Sequence, residues 1–184
     1  MKKSFFVMKC LRTISLFFVL CLMLPHTGAA EEHSLKGKKA VFREKISPIA
    51  EKYIGTPYQF GGHLGPSGAL DNSHLFCLIY SEAAKDAGLE FRGYMPMGLL
   101  LKNMVPVPSD EVKNGDLMVL QAGLAAMLYH VKDSNHFHLI YASLKRRQVV
   151  SFSTQNLAFS VYWLKNLKGY FRLDDKMLLE RNEH

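Results

Sequence analysis

The chain has 184 residues, 23 of them lysine or arginine and 16 acidic, for a formal net charge of +7, and 48% are hydrophobic. Four of the basic residues (Lys2, Lys3, Lys9 and Arg12) and no acidic residue fall in the first thirty positions, which leaves 19 basic against 16 acidic residues and a net +3. That length fits one domain, and so weak a positive balance gives no argument for nucleic acid, which is not among the expected partners.

The N-terminus reads as a secretory signal over residues 1–30. "MKKSFFVMKCLR" is basic, "TISLFFVLCLML" is apolar, and "PHTGAA" supplies small residues before a cleavage point. The apolar run is about a dozen residues, short of the roughly 20 that a spanning helix needs. An uncleaved anchor is the alternative, and this segment is the only membrane contact expected. Phe18, Val19 and Leu20 precede Cys21, which speaks against lipid attachment there. The expected location is outside the cytoplasm, in the periplasm or cell envelope. Cys10 and Cys21 belong to the signal, so Cys77 is left alone, without an internal disulfide, as either a buried or a functional thiol.

Residues 31–39 read as a loose polar lead-in, 40–175 as the folded domain, and 176–184 as a polar, solvated tail. Apolar residues at Val41, Ile46, Ile49, Ala50, Tyr53 and Ile54 follow helical spacing. Gly55 ends that helix and Pro57 forbids its resumption. "TPYQFGGHLGPSG" is a loop. Leu75, Ile79, Ala83 and Ala87 recur every four residues with Phe76, Tyr80 and Ala84 beside them, a stripe wide enough to be buried against a sheet. Asp71 or Asn72 caps that second helix and Gly88 ends it. Beyond Pro108 the period shifts toward strands, predicted at 116–121, 136–143, 148–153, 159–164 and 169–173. "AGLAAMLYHVKDSN" between the first two reads as an insertion, with a short helix as its candidate structure. Helices followed by adjacent strands predict an α+β domain with an antiparallel sheet.

Four stretches then carry the chemistry: Gly55-Thr56-Pro57-Tyr58-Gln59-Phe60-Gly61-Gly62, Asp71-Asn72-Ser73-His74, Gly115-Asp116-Leu117 and His138-Leu139-Ile140-Tyr141. In order and spacing they resemble the NlpC-type papain-like cell-wall peptidases, relatives of the CHAP amidases. The matching motifs there are G-T-P-Y-x-W-G-G, D-C-S-G at a helix start, a G-D-L strand, and H-V-G-I-Y bearing the general base. The resemblance runs from about Ile49 to Ser153. It implies a papain-like fold and a cysteine hydrolase of peptidoglycan stem peptides that needs no metal or other cofactor. A helix N-terminus lowers the pKa of the attacking thiol, a histidine completes the ion pair, and a third polar group orients that histidine.

The chain departs from that pattern at the nucleophile. Asn72 stands in the cysteine's place, and an amide forms neither thiolate nor alkoxide. By the resemblance His138 takes the base position, with His136 as competitor, Ser151 the orienting position (Gln148 and Ser153 as alternatives), and Tyr58 the oxyanion position. Asp71, Ser73 and His74 are the expected substrate-binding turn. Cys77 is five residues past Asn72, rotated by roughly 140° and more than a turn deeper, which makes it a packing residue. Ser73 points about 100° away from the nucleophile direction. His136 and His138 share one strand face, so a metal held with His74 or His63 is a second route. Met95, Met97, Leu99, Leu100 and Met104 line an apolar groove or pack a loop. The expected function is binding of stem peptides, or of a cell-envelope protein, by a domain that no longer cuts. The alternative is an active peptidoglycan hydrolase rebuilt around Ser73, Cys77 or a histidine-bound metal.

Overall fold

The computed structural model describes residues 27–64 and 68–181, with side chains from residue 33. The chain divides into two units, Met1–Lys36 and Gly37–His184. In the first, the described residues are helical, and the predicted signal otherwise lies outside the described residues. No helix among the described residues is long and apolar enough to cross a membrane.

Helix α1 spans Thr27–Lys52, so the predicted lead-in over 31–39 is helical. Those residues are largely lysine, glutamate and leucine, which favour helix. In the second unit the inward stripe of α1, Phe42, Ile46, Ile49 and Ala50, is almost wholly buried. Each large apolar side chain removed from water there contributes about 1.5–3 kcal/mol. Helix α2 spans Asn72–Asp86, with Ala87 at its C-cap and Gly88 beyond it in the left-handed region. The two helices meet through Phe42 and Tyr80, whose ring centroids are 6.1 Å apart. Helix α3 is the short Met97–Lys102.

The strands are β1 (Leu89–Phe91), β2 (Met104–Val107), β3 (Leu117–Leu120), β4 (Ala125–Asp133), β5 (His136–Ser143), β6 (Gln148–Ser153), β7 (Leu167–Leu173) and β8 (Leu178–Glu180). Six form an antiparallel sheet in the order β2-β7-β3-β4-β5-β6, and β1 pairs with β8 apart from it. The sheet is buried on both sides. Met118, Leu120, Ala126, Leu128, Phe137 and Leu139 form one cluster with Phe159, Trp163 and Tyr170. Side chains alternate along a strand, so Leu117, Val119, Met127 and Ile140, also buried, take the other face.

Three predicted elements are corrected. The expected insertion after Gln121 is β4, a nine-residue central strand. Ala, Leu and Met suit a helix, but pairing with β3 and β5 overrides propensity here. The predicted strand Phe159–Leu164 is a π-helical turn. Phe159 and Trp163 are buried while Val161, which would share their strand face, is exposed, so the pattern is helical. The supposed solvated tail buries Met177 and Leu178 and supplies β8.

Asp116 of the G-D-L stretch is structural. It is fully buried and accepts from Arg43 Nη1 at 3.0 Å, Arg172 Nε at 3.0 Å, Arg172 Nη2 at 2.8 Å and the Lys113 amide at 2.8 Å. Hydrogen bonding to Asp116 holds the Arg172 guanidinium more firmly protonated than usual, outweighing the opposing effect of its burial. Gly115 stands beside it at φ +86, with its carbonyl accepting from the Tyr80 hydroxyl at 2.6 Å. Any Cβ at 115 would also crowd Ile46 and Arg43 at 3.3 Å.

Candidate functional site

The polar turn before α2 is built around Asp71. The Asp71 side chain is the N-cap, accepting the His74 amide at 2.8 Å. The same carboxylate accepts from the Ser73 hydroxyl at 2.8 Å and the Gly61 amide at 3.0 Å, and it pairs with His74 Nδ1 at 3.0 Å. Burial alone would raise the Asp71 carboxyl, but the hydrogen bonds from His74 and Ser73 outweigh it and hold it below the usual carboxylate range. Asp71 therefore takes the cap that Asn was expected to share, and Asn72 is the first residue of α2.

The "GTPYQFGG" loop is pinned from two sides. Gly55 and Thr56 bond to Val149, and the Tyr58 amide donates to the Arg147 carbonyl at 2.9 Å, which fixes the loop to β6 and to the β5–β6 turn. Gln59 and Pro57 bond to Leu70, which fixes it to the entrance of α2. A Cβ at Gly62 would lie 2.7 Å from the Ala69 carbonyl oxygen, so only glycine passes there. This double anchoring sets Tyr58 beside the start of α2.

Asn72 uses its side chain across the domain. Its Oδ1 accepts from the Ala142 amide of β5 at 2.6 Å. The β4–β5 pairing stops at Met127↔Ile140, two residues short of Ala142. On its other side Ala142 faces Val149, whose own amide and carbonyl are bonded to Thr56 and Gly55. Asn72 thus supplies an acceptor just where the ladder ends. Its Nδ2 makes no hydrogen bond among the described residues.

A cleft of about 710 Å³ opens at this splay between β4 and β5. Asn72, Tyr58 and Tyr141 line it, with Leu124 and Ala125 at the start of β4 and Trp163 from the π turn. Among the described residues no histidine lines it. Tyr141 packs edge-on against Trp163 at 5.3 Å, which stiffens that wall. Of the methionines and leucines expected in a groove, Met97 alone lines the cleft; Met95, Leu100 and Met104 are buried and Leu99 is exposed.

The other expected site residues go elsewhere. His138 is exposed, four residues up β5 from Ala142, about 13 Å at strand rise. Its neighbours are Tyr129 at 5.8 Å and His130 at 5.6 Å between ring centroids. Ser151 pairs with Ile140, and its hydroxyl bonds the Tyr129 hydroxyl at 2.5 Å, so it orients no histidine. Ser153 is the residue across from His138, while Gln148 lies across from Ser143. His136 pairs with Asp133 at 2.9 Å on the hairpin end. His74 stacks on Tyr94, centroids 3.9 Å apart, with His63 5.8 Å away. Among the described residues no three His, Cys, Asp or Glu side chains converge as a metal site. Cys77 is buried, its thiol donates to the Met95 carbonyl at 3.7 Å, and burial pushes its pKa up to about 11. Residues the sequence did not single out, Leu124, Ala125 and Trp163, form much of the wall with Tyr141 of the quoted stretch. The signal for the first two was the turn "QAG", which ends β3 and so begins the next strand.

The helices packed on an antiparallel sheet, with a cleft at the start of α2, form an α+β domain of the expected papain-like fold. A solved structure with this fold is that of a lipoprotein-like protein of the NLP/P60 family from Staphylococcus aureus subsp. aureus Mu50. It is 22% identical in sequence, with a TM-score of 0.51, over 72% of this chain and 41% of that one. The chain thus spans less than half the length of the protein it matches. No family model and no curated protein matches the sequence.

Proposed function

We propose that the domain is an exported, non-cutting relative of the NlpC-type peptidases whose cleft binds peptidoglycan stem peptides. The observation that carries this is the content of the cleft. The nucleophile position is Asn72, with its carbonyl oxygen committed to Ala142. In the resembling motif order the base belongs to the strand after G-D-L. That strand is β4, which opens at Leu124 and Ala125, one strand earlier than His138. The orienting group then belongs to β5, where Tyr141 faces the cleft. All three positions of the hydrolytic machinery are filled by groups that neither attack a carbonyl nor accept a proton near neutral pH, and the walls are intact.

The rebuilt-site alternatives lose support from the same geometry. Ser73 is buried and its hydroxyl donates to Asp71, with no histidine bonded to it. The Cys77 thiol is buried and held protonated. The N-terminal signal pattern and the cell-envelope character of the similar lipoprotein support export.

The full chain, incubated with purified peptidoglycan, is expected to co-sediment with it and to release no soluble stem-peptide products detectable by mass spectrometry. Release of such products overturns the non-cutting reading, and failure to co-sediment overturns the binding reading.

A further inference from the structure

The turn between β5 and β6, "LKRR" at residues 144–147, is absorbed by none of the chemistry above. Lys145 and Arg146 line the mouth of the cleft and are exposed. Neither forms an ion pair among the described residues, whereas Lys38, Lys39, Arg43, Lys52, Arg172 and Lys176 all do. The turn is also held in shape. Arg147 sits at φ +57, a region costly for a branched or long side chain, and its carbonyl accepts from the Tyr58 amide. The Arg146 amide donates to the buried Ser143 hydroxyl at 3.2 Å. Two cations are thus presented on a braced turn with no anion of their own.

Among the described residues the only carboxylate lining the cleft is Asp71, and it is spent on Gly61, Ser73 and His74. The mouth is therefore positive, while the floor offers the two N–H groups of the Asn72 amide. Unpaired cations on a braced turn favour a ligand carboxylate, and amide N–H donors favour a carbonyl oxygen.

Resting on the stem-peptide reading, we infer that the cleft selects acidic peptides: Lys145 and Arg146 take a free carboxylate of the ligand while Asn72 Nδ2 donates to a ligand carbonyl. Amidated forms of the same peptide lose the first contact and keep the second. The selectivity resides in the turn, not in the old catalytic positions.

Trp163, the single tryptophan of the chain, lines the cleft and reports occupancy by its fluorescence. The full chain is titrated with a synthetic alanyl-γ-D-glutamyl-lysine peptide bearing free carboxylates, and with the same peptide fully amidated. The acid form is expected to bind about tenfold tighter, a modest ratio because both cations are solvent-exposed. Raising salt is expected to shrink that ratio. The double variant Lys145→Gln/Arg146→Gln is expected to bind both forms equally, at the affinity of the wild type for the amide. Equal binding of both forms by the wild type overturns the inference and leaves the stem-peptide reading standing. So does an acid preference that survives in the double variant. Binding of neither form overturns both.

Discussion

The two ends of β5 contrast. At the Ala142 end lies a walled cleft with an amide at its floor and no histidine. At the His136 end lie three histidines and an aspartate, His130, His136, His138 and Asp133, all exposed; a smaller cavity of about 460 Å³ there takes in Asp133 and none of the three histidines. The histidines have gathered at the exposed end, and the larger cleft has none in its lining among the described residues. A motif search weighted toward histidine is drawn to the His136 end. The lesson is that a site is defined by which side chains converge on a cavity, and residue type alone does not locate it.

That contrast can be broken from the cleft side first. Asn72→Ala leaves the buried Ala142 amide without its acceptor, and the expected loss is about 1–3 kcal/mol of unfolding free energy by denaturant titration. An unchanged midpoint would mean that water or β4 replaces the bond. Next, Asn72→Cys restores a thiol at the helix start but not a base. Its reaction with iodoacetamide at pH 7 is expected to be slow, and to rise about tenfold when Leu124→His is added, since a nearby imidazole increases the thiolate fraction. The same variant combined with His138→Ala is expected to be unaffected by that loss. Dependence on His138 would return the base position to β5. Cys77 does not confuse the measurement, because its thiol is buried and its pKa is pushed up to about 11.

A smaller effect tests the cap. Asp71 titrates below the ordinary carboxylate range in the folded protein. A lowered folded pKa stabilises the fold at all pH above the unfolded value, and that contribution disappears as pH falls through the folded value. Asp71→Ala is expected to cost about 1 kcal/mol at pH 7. Thermal melts should show the gap to wild type narrowing below about pH 4. A gap constant to pH 2 would mean that the charge contributes nothing. The smallest effect belongs to the far end of β5, where His138→Ala is expected to fall within about 0.5 kcal/mol.

Much of this fold was readable in the sequence because its signals are local. The Leu75-Ile79-Ala83 stripe, the Asp71 cap and Gly88 bound α2 to within a residue or two. Strands β3, β5 and β6 carried alternation and turns. The failure at β4 was consequential. "LAAMLYHV" has a helix-former's composition and is a strand only because β3 and β5 lie beside it, information that no local window contains. With that strand missed, the base expectation fell on His138, which the cleft lining does not include. The cleft wall was illegible for the same reason, since Leu124, Tyr141 and Trp163 meet only through the sheet's order and the π turn. Asp116 was misplaced in the opposite sense. It sits in a motif tied to activity, and its work is to hold arginines.

Asp116 has a consequence for how the chain must be made. Its carboxylate is shared by Arg43, near the beginning of the domain, and Arg172, near its end. During synthesis the helix, the cleft and most of the sheet emerge before Arg172 does. Until then the fold carries a half-compensated negative charge at its centre, which is costly to enclose. Completion on the ribosome is therefore expected to wait for the last strand of the large sheet. A truncation that stops before β7 should yield a chain unable to close, however intact its cleft residues are.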